Sequence, residues 1–110
     1  MAHHAASLDC VQLGKCFGLL SLPMRLRIVL LLSQEERSVS ALTEQLKVPQ
    51  PTVSHHLGVL RAGGAVASRR AGKQVFYRLS GAGAGGGAVT VYAVGYWIRL
   101  TIGRATSPDA

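Results

Sequence analysis

Residues 38–80 constrain the fold of this chain more than any other stretch. They read SVSALTEQLKVPQPTVSHHLGVLRAGGAVASRRAGKQVFYRLS. Residues 41–46 predict a short helix, and residues 47–50 predict a turn because a proline disfavours helix in the residue before it. A second helix is expected to begin at Pro51, since proline suits a first helical turn, and to end at Gly63 and Gly64.

Two short strands complete this pattern. Residues 65–70 and 74–79 alternate between apolar and polar side chains, which is typical of strands with one buried face. Ala71 and Gly72 lie between them and predict a hairpin tip, and we call this hairpin the wing. Helix, turn, helix and wing in this order form a winged helix-turn-helix, which lays its second helix into the major groove of DNA. The predicted fold class is therefore α+β, mainly α.

Two further helices are expected ahead of this stretch, so that residues 1–80 form one DNA-binding domain. Residues 7–20 predict the first helix, with one apolar stripe at helical spacing. The stripe consists of Cys10, Leu13, Phe17 and Leu20. Ser21 and Pro23 suit the start of the second helix, which is apolar almost all round and belongs in the centre of the domain or at a subunit contact. Val39 is expected to form a short strand that supports the wing.

The charge of the chain points to an anionic partner. Its 110 residues carry 12 Lys and Arg against 5 Asp and Glu, a net charge of +7. The span from Gln45 to Leu79 contains basic residues and no acidic one. The basic residues are Lys47, Arg61, Arg69, Arg70, Lys73 and Arg78. Because they coincide with the helix-turn-helix pattern, we interpret them as a surface for double-stranded DNA rather than as a generic solvated face.

The second helix of the motif divides into an inward and an outward side. Val53, Leu57 and Leu60 form a narrow apolar stripe, and small polar side chains near the helix start lie on the other side, where they permit close approach to base edges. His56 is interpreted as a hydrogen-bonded residue that fixes this helix. The predicted base contacts are Thr52, Ser54 and His55, with Gln50 at the start of the helix. The predicted phosphate contacts are Arg61 near the end of the helix and Arg69, Arg70 and Lys73 in the wing.

The stretch resembles the ArsR/SmtB family of winged-helix repressors. The resemblance is carried by PTVSHHLGVLRAGG, the basic glycine turn and QVFYRL, and SLPMRLRIVLLL is similar to that family's second helix. It covers residues 20–80 and implies a homodimeric transcriptional repressor that binds an inverted-repeat operator and releases it when an inducer binds. It also implies that the eight residues named above as base and phosphate contacts face the DNA.

The segment after the wing departs from that family. Residues 81–87 read GAGAGGG, a composition typical of flexible linkers. Residues 88–103 are rich in Val, Thr, Tyr, Trp and Ile, which favours a C-terminal β-hairpin over a helix as an interaction or dimerisation element. The family normally has a dimerisation helix here, so the departure leaves open how the dimer is built. Residues 104–110 are expected to form a loose tail.

The aromatic residues of this segment support an alternative function, a winged-helix module for protein interaction. Tyr92, Tyr96 and Trp97 are of the types that commonly anchor interfaces, and DNA binding would then be residual. An enzyme is not expected, because the sequence shows no phosphate-binding loop, no nucleophile with an assembled base and no carboxylate pair.

The site of an inducer is less well defined by the sequence. The helix before the turn and residues 88–102 contain no Cys, His or Asp, so the family's usual metal sites are not present. Cys10 and Cys16 remain as candidates for sensing a thiol-reactive species or a soft metal ion, and no other cofactor is indicated. On one straight helix they point about 240° apart, so they require another segment or subunit to hold one ion. Alternatively, Cys10 is a small core residue and Cys16 an exposed or interface thiol.

Two absences predict a cytoplasmic protein with no membrane partner. The sequence has no uncharged apolar run of about 18 residues, the length that suggests a membrane span. The first residues, MAHHAASLDC, lack the charged start and apolar core of a signal peptide.

Overall fold

The elements of the chain follow the order that the sequence predicts. The computed structural model describes residues 9–80, 88–93 and 96–101. The helices are α1 (Cys10–Leu19), α2 (Pro23–Gln34), α3 (Val39–Leu46) and α4 (Gln50–Ala62). The strands are β1 (Arg37–Ser38), β2 (Val66–Ala71), β3 (Gln74–Leu79), β4 (Ala88–Ala93) and β5 (Tyr96–Thr101). Helices and antiparallel strands in this proportion confirm the α+β, mainly α class.

Strands β1, β2 and β3 form an antiparallel sheet in the order β1–β3–β2. β2 and β3 are the wing, paired from Val66 opposite Leu79 to Ala71 opposite Gln74. Gly72 at the tip has a φ of 63°, a left-handed conformation that glycine adopts without strain. The predicted winged helix-turn-helix is therefore confirmed.

The start of α3 differs from the prediction. Val39 is the first residue of α3 rather than part of a strand, and the strand that supports the wing is Arg37–Ser38. Ser38 caps the helix, since its side chain accepts a hydrogen bond from the backbone nitrogen of Ala41 at 3.0 Å. A hydroxyl placed directly before the first helical residue satisfies an otherwise unpaired N–H, which explains the earlier start.

The core lies between the helices and the wing strands. α2 packs against β3 and α4, and α3 packs against α4. The buried side chains of these elements are Ile28, Val29 and Leu32 in α2, Leu42 and Leu46 in α3, Val53, Leu57 and Leu60 in α4, and Tyr77 and Leu79 in β3. The predicted inward stripe of the fourth helix is confirmed, and α2 is the central helix.

α1 turns a different side to the core than the sequence predicts. Cys16 and Leu20 are buried, whereas Cys10 is exposed and Phe17 is 50% exposed. The predicted stripe is therefore wrong at Cys10 and Phe17 and right at Leu20, and the alternative of a core Cys10 with an exposed Cys16 is wrong. α1 reads CVQLGKCFGL, in which Lys15 is the one charged residue. Several stripes of this helix are equally apolar, so periodicity cannot choose between them.

The C-terminal segment is a hairpin, as predicted, and not a helix. β4 and β5 pair in antiparallel register from Ala88 opposite Thr101 to Ala93 opposite Tyr96. Val91 on β4 is buried and joins the core. The predicted linker and tail lie outside the described residues.

A contact joins this hairpin to the first helix. The hydroxyl of Tyr96 accepts a hydrogen bond from the backbone nitrogen of Asp9, the N-cap of α1, at 3.0 Å. Trp97, the next residue along β5, is 63% exposed. The hairpin thus packs one face inward and presents a tryptophan outward.

None of the described helices is by itself long and apolar enough to span a membrane. α1 and α2 taken together meet the criteria of length and composition, but the chain bends by 82° between them.

Candidate nucleic-acid interface

α4 presents one side to the core and one side to solvent. Val53 and Leu57 are completely buried. The predicted helix contacts Gln50, Thr52, Ser54, His55 and Arg61 are all exposed. Gly58, on the exposed side, has open space in front of its Cα, so no side chain blocks close approach. This outward side is small and polar, as a helix that enters a major groove requires.

His56 connects α4 to α2. Its Nδ1 accepts a hydrogen bond from Nε of Arg25 on α2, at 3.3 Å. The predicted role of His56 as a hydrogen-bonded residue is confirmed, whereas the sequence did not point to Arg25 as its partner. The ring of His56 also meets the ring of the exposed His55 edge-on, with centroids 5.5 Å apart. The side chain predicted to read bases therefore rests against one that is tied to the core helix.

The surroundings of His56 favour its neutral form. Burial, the charge of Arg25 and the neighbouring His55 lower the pKa of His56 from its ordinary value of 6.5. A neutral imidazole keeps Nδ1 free to accept the hydrogen bond from Arg25, so protonation and this link between the helices compete.

The wing tip carries two exposed cations. Arg70 and Lys73 flank Ala71 and Gly72, and all four residues are exposed. Among the described residues, neither Arg70 nor Lys73 belongs to an ion pair. Their charge is therefore available to a polyanion.

Arg69 differs from its neighbour Arg70. It donates from Nε and Nη2 to the two carboxylate oxygens of Glu36, at 2.9 and 2.6 Å. Its guanidinium also lies over the ring of Phe76, 4.7 Å from the centroid. The sequence predicted Arg69 to be a phosphate contact and did not single out Glu36. The structure places this arginine in the wing but ties it to an acidic residue.

One further basic residue is structural. The side chain of Arg37 is only 11% exposed. It donates to the carbonyl oxygen of Leu31 and to the side-chain oxygens of Gln34 and Gln45. Arg37 thus donates a hydrogen bond to a carbonyl oxygen in the last turn of α2 and connects this helix to α3. Because its side chain is engaged in these contacts, it contributes little to a DNA-binding surface.

The two cysteines lie on different sides of α1. Cys10 is exposed and Cys16 is buried, and burial raises the pKa of the Cys16 thiol despite an opposing backbone hydrogen bond. Within the described residues, no group of three or more His, Cys, Asp and Glu side chains is placed to hold a metal ion. The described geometry does not bring Cys10 and Cys16 together.

This arrangement agrees with comparisons to known proteins. Residues 23–68 match the family described as bacterial regulatory protein, arsR family. The crystal structure of the transcriptional repressor BigR from Xylella fastidiosa matches with a TM-score of 0.62 and 43% sequence identity, covering 66% of this chain and 74% of that one. The chain belongs to the arsR family. Members of this family are DNA-binding transcriptional regulators and not enzymes, which confirms the sequence-based expectation.

Two further relatives extend the comparison. The transcriptional repressor SmtB of Mycobacterium tuberculosis is 45% identical over 67 residues, which are 61% of this chain and 50% of that protein. A homodimeric winged helix-turn-helix DNA-binding domain from Mycobacterium bovis matches with a TM-score of 0.62 and 32% identity, covering 71% of this chain and 77% of that one. The chain spans about half the length of the curated relatives SmtB and the biofilm growth-associated repressor of Xylella fastidiosa.

Proposed function

We propose that this arsR-family protein is a homodimeric transcriptional repressor that binds an inverted-repeat operator. The observation that carries the proposal is the exposed polar side of α4 next to the cationic wing tip. Two such helices related by a two-fold axis match two half-sites of an operator. A repressor acts where the DNA is, so we propose the cytoplasm as its location.

The proposed roles divide between helix and wing. Thr52, Ser54 and His55 meet base edges, with Gln50 at the start of the helix. Their small or planar side chains suit hydrogen bonds in the major groove. Phosphates are held by cations at the margins of this surface. These are Arg61 on α4 and Arg70 and Lys73 at the wing tip.

The proposed dimer surface is formed by elements other than α4 and the wing. The exposed large apolar residues in the described part of the chain belong to α1, α2, the turn between them and β5. They are Val11, Phe17, Leu22, Leu30 and Trp97. Exposed apolar residues outside the DNA-binding elements suit a contact between subunits. The homodimeric state of the Mycobacterium bovis neighbour supports this proposal.

We propose that any thiol-based inducer, whether an oxidant, an electrophile or a soft metal ion, acts first at Cys10. The exposed side chain of Cys10 supports this order, whereas Cys16 is buried with a raised pKa and holds less thiolate. A response that requires both cysteines needs α1 to move from the core, or a second subunit.

The observation that favours the alternative function is the exposure of Trp97. A tryptophan with 63% of its surface in solvent is a suitable anchor for another protein. In that alternative, the hairpin is the functional surface and DNA binding is residual. A partner captured in the absence of DNA and lost in Trp97→Ser would support it.

The deciding experiment is salt-dependent binding to the DNA upstream of the protein's own gene. A repressor should bind specifically, with an affinity that falls steeply as salt rises, because bound counterions leave the DNA. Arg70→Ala should weaken binding to all sequences alike, whereas Ser54→Ala and His55→Ala should change the sequence preference. The same change in all three variants would contradict the division of roles, and no specific binding at any salt would contradict the function.

A further inference from the structure

The ion pair between Glu36 and Arg69 crosses the whole sheet of the wing. Arg69 lies on β2, one outer strand, and Glu36 directly precedes β1, the other outer strand. Two parallel hydrogen bonds join them, Nε to Oε2 at 2.9 Å and Nη2 to Oε1 at 2.6 Å. This forked geometry is the most favourable one between a guanidinium and a carboxylate. The pair therefore links the wing hairpin to the residue that precedes β1.

Phe76 supports the pair from the middle strand. It lies directly opposite Arg69 in the register of β2 and β3, and directly opposite Ser38 in the register of β1 and β3. The guanidinium rests over its ring, 4.7 Å from the centroid, where the negative face of the ring attracts a cation. The guanidinium of Arg69 thus has two partners: Glu36 accepts its hydrogen bonds, and the ring of Phe76 lies against its face.

The charges around Glu36 keep it ionised. Hydrogen bonds from Arg69 lower the pKa of Glu36, and the charge of Arg78 adds to this effect. The carboxylate cancels the charge of Arg69 at neutral pH. A cation that is already neutralised by the protein releases no counterion from DNA, so it adds nothing to the salt dependence of binding.

We propose that Glu36 is a positioning residue that holds Arg69 within the sheet, so that phosphate contact by the wing falls to Arg70 and Lys73. This inference rests on the proposed binding of DNA and reassigns Arg69 from phosphate contact to wing anchor. Arg70 is adjacent, exposed and in no ion pair with a described residue, which makes it the matched comparison.

The test is the salt dependence of binding to operator DNA, given as the slope of the logarithm of the association constant against the logarithm of the salt concentration. It is measured for the full chain and four single variants. Arg70→Gln should flatten the slope by about 0.9, the amount expected for one lost phosphate contact. Arg69→Gln should leave the slope unchanged. Glu36→Gln should steepen it by about 0.9, because the released Arg69 gains a phosphate. Glu35→Gln removes the same charge one residue away. Glu35 pairs at 3.7 Å with Arg37, whose side chain is only 11% exposed, so no cation is released to the DNA and the slope should stay unchanged.

The double variant Glu36→Gln/Arg69→Gln tests whether the steeper slope of Glu36→Gln comes from Arg69. It should return to the slope of the unaltered protein, since the released cation is then gone. Equal flattening by Arg69→Gln and Arg70→Gln would overturn the proposal, as would equal slopes for Glu36→Gln and Glu35→Gln. If the unaltered protein does not bind the operator, the proposed function fails instead. Glu36 and Arg69 are solvent-accessible, and thermal unfolding of each variant confirms that it is folded.

Discussion

Arg25 of α2 holds His56 of α4 by a hydrogen bond from Nε to Nδ1, 3.3 Å long. The bond connects the central helix of the domain to the helix that we propose enters the major groove. It requires the acceptor Nδ1 to be unprotonated. The position of α4 is therefore coupled to the protonation state of one imidazole.

Lowering the pH should destabilise the protein through His56. Its pKa is lowered in the folded state from the ordinary value of 6.5, so the unfolded chain binds this proton more readily. The associated stability is fully present above pH 6.5 and falls as the pH drops below that value toward the folded pKa. Urea unfolding at pH 7.5 and at about pH 5 should reveal the loss.

His56→Asn is the matched variant for this pH effect. Its side-chain oxygen takes the place of Nδ1 as acceptor for Arg25, but the amide does not titrate. The part of the acid-induced loss that belongs to His56 should disappear, while His55→Asn should retain most of it, because burial and Arg25 lower the pKa of His56 more than His55 does. An unchanged pH profile in His56→Asn would show that another group is responsible.

Leu57→Ala should strongly destabilise the domain. Leu57 is completely buried on the inward stripe of α4, and its truncation leaves a cavity beneath the DNA-facing helix. The free energy of unfolding should fall by about 2–5 kcal/mol. Ala62→Ser, on the exposed side of the same helix, should change it by less than about 0.5 kcal/mol. Chemical denaturation of both variants measures the difference, and similar losses would contradict the observed orientation of α4.

Lys47→Gly should stabilise the protein. Lys47 ends α3 in a left-handed conformation with a φ of 57°, which costs a residue with a Cβ about 1–2 kcal/mol. Glycine removes that strain but loses more entropy on folding, so a net gain of about 0.5 kcal/mol is expected. Gly64 has a φ of 84°, and Gly64→Ala should act in the opposite direction. Thermal unfolding of the two variants should give shifts of opposite sign.

Cys10 should react with a thiol reagent well before Cys16. Cys10 is exposed, while the thiol of Cys16 is buried and its pKa is raised. In the native protein the rates should differ by at least about tenfold, because only the exposed thiol meets the reagent without local opening. Cys10→Ser should remove the fast phase of a colorimetric thiol assay and Cys16→Ser the slow one. The reverse assignment would show that α1 is rotated relative to the described structure.

Features that depend on neighbouring residues were predictable from the sequence. α4 begins at Gln50, one residue before the predicted Pro51, and ends before Gly63 as predicted, and the stripe of Val53, Leu57 and Leu60 follows from helical spacing alone. The C-terminal hairpin was predictable in the same way, from its β-branched and aromatic composition.

Features that depend on distant packing were not predictable. Arg25 and His56 are 31 residues apart, and Glu36 and Arg69 are 33 apart. The second pair exists because the two-residue strand β1 brings Glu36 to the wing, and so short a strand has no periodicity to detect. The orientation of α1 was missed because its residues are apolar on most sides, so only the shape of the core selects the buried face.

The hydrogen bond between Asp9 and Tyr96 has a consequence for synthesis of the chain. Its two partners are separated by 87 positions, and the ribosome makes Asp9 first. At 5–20 residues per second, about 4–17 s pass before Tyr96 is added. Throughout that interval the start of α1 has no hairpin to bind, because β4 and β5 are the last strands to be made. We expect the N-terminus of α1 to take its final place last, after the rest of the domain has folded.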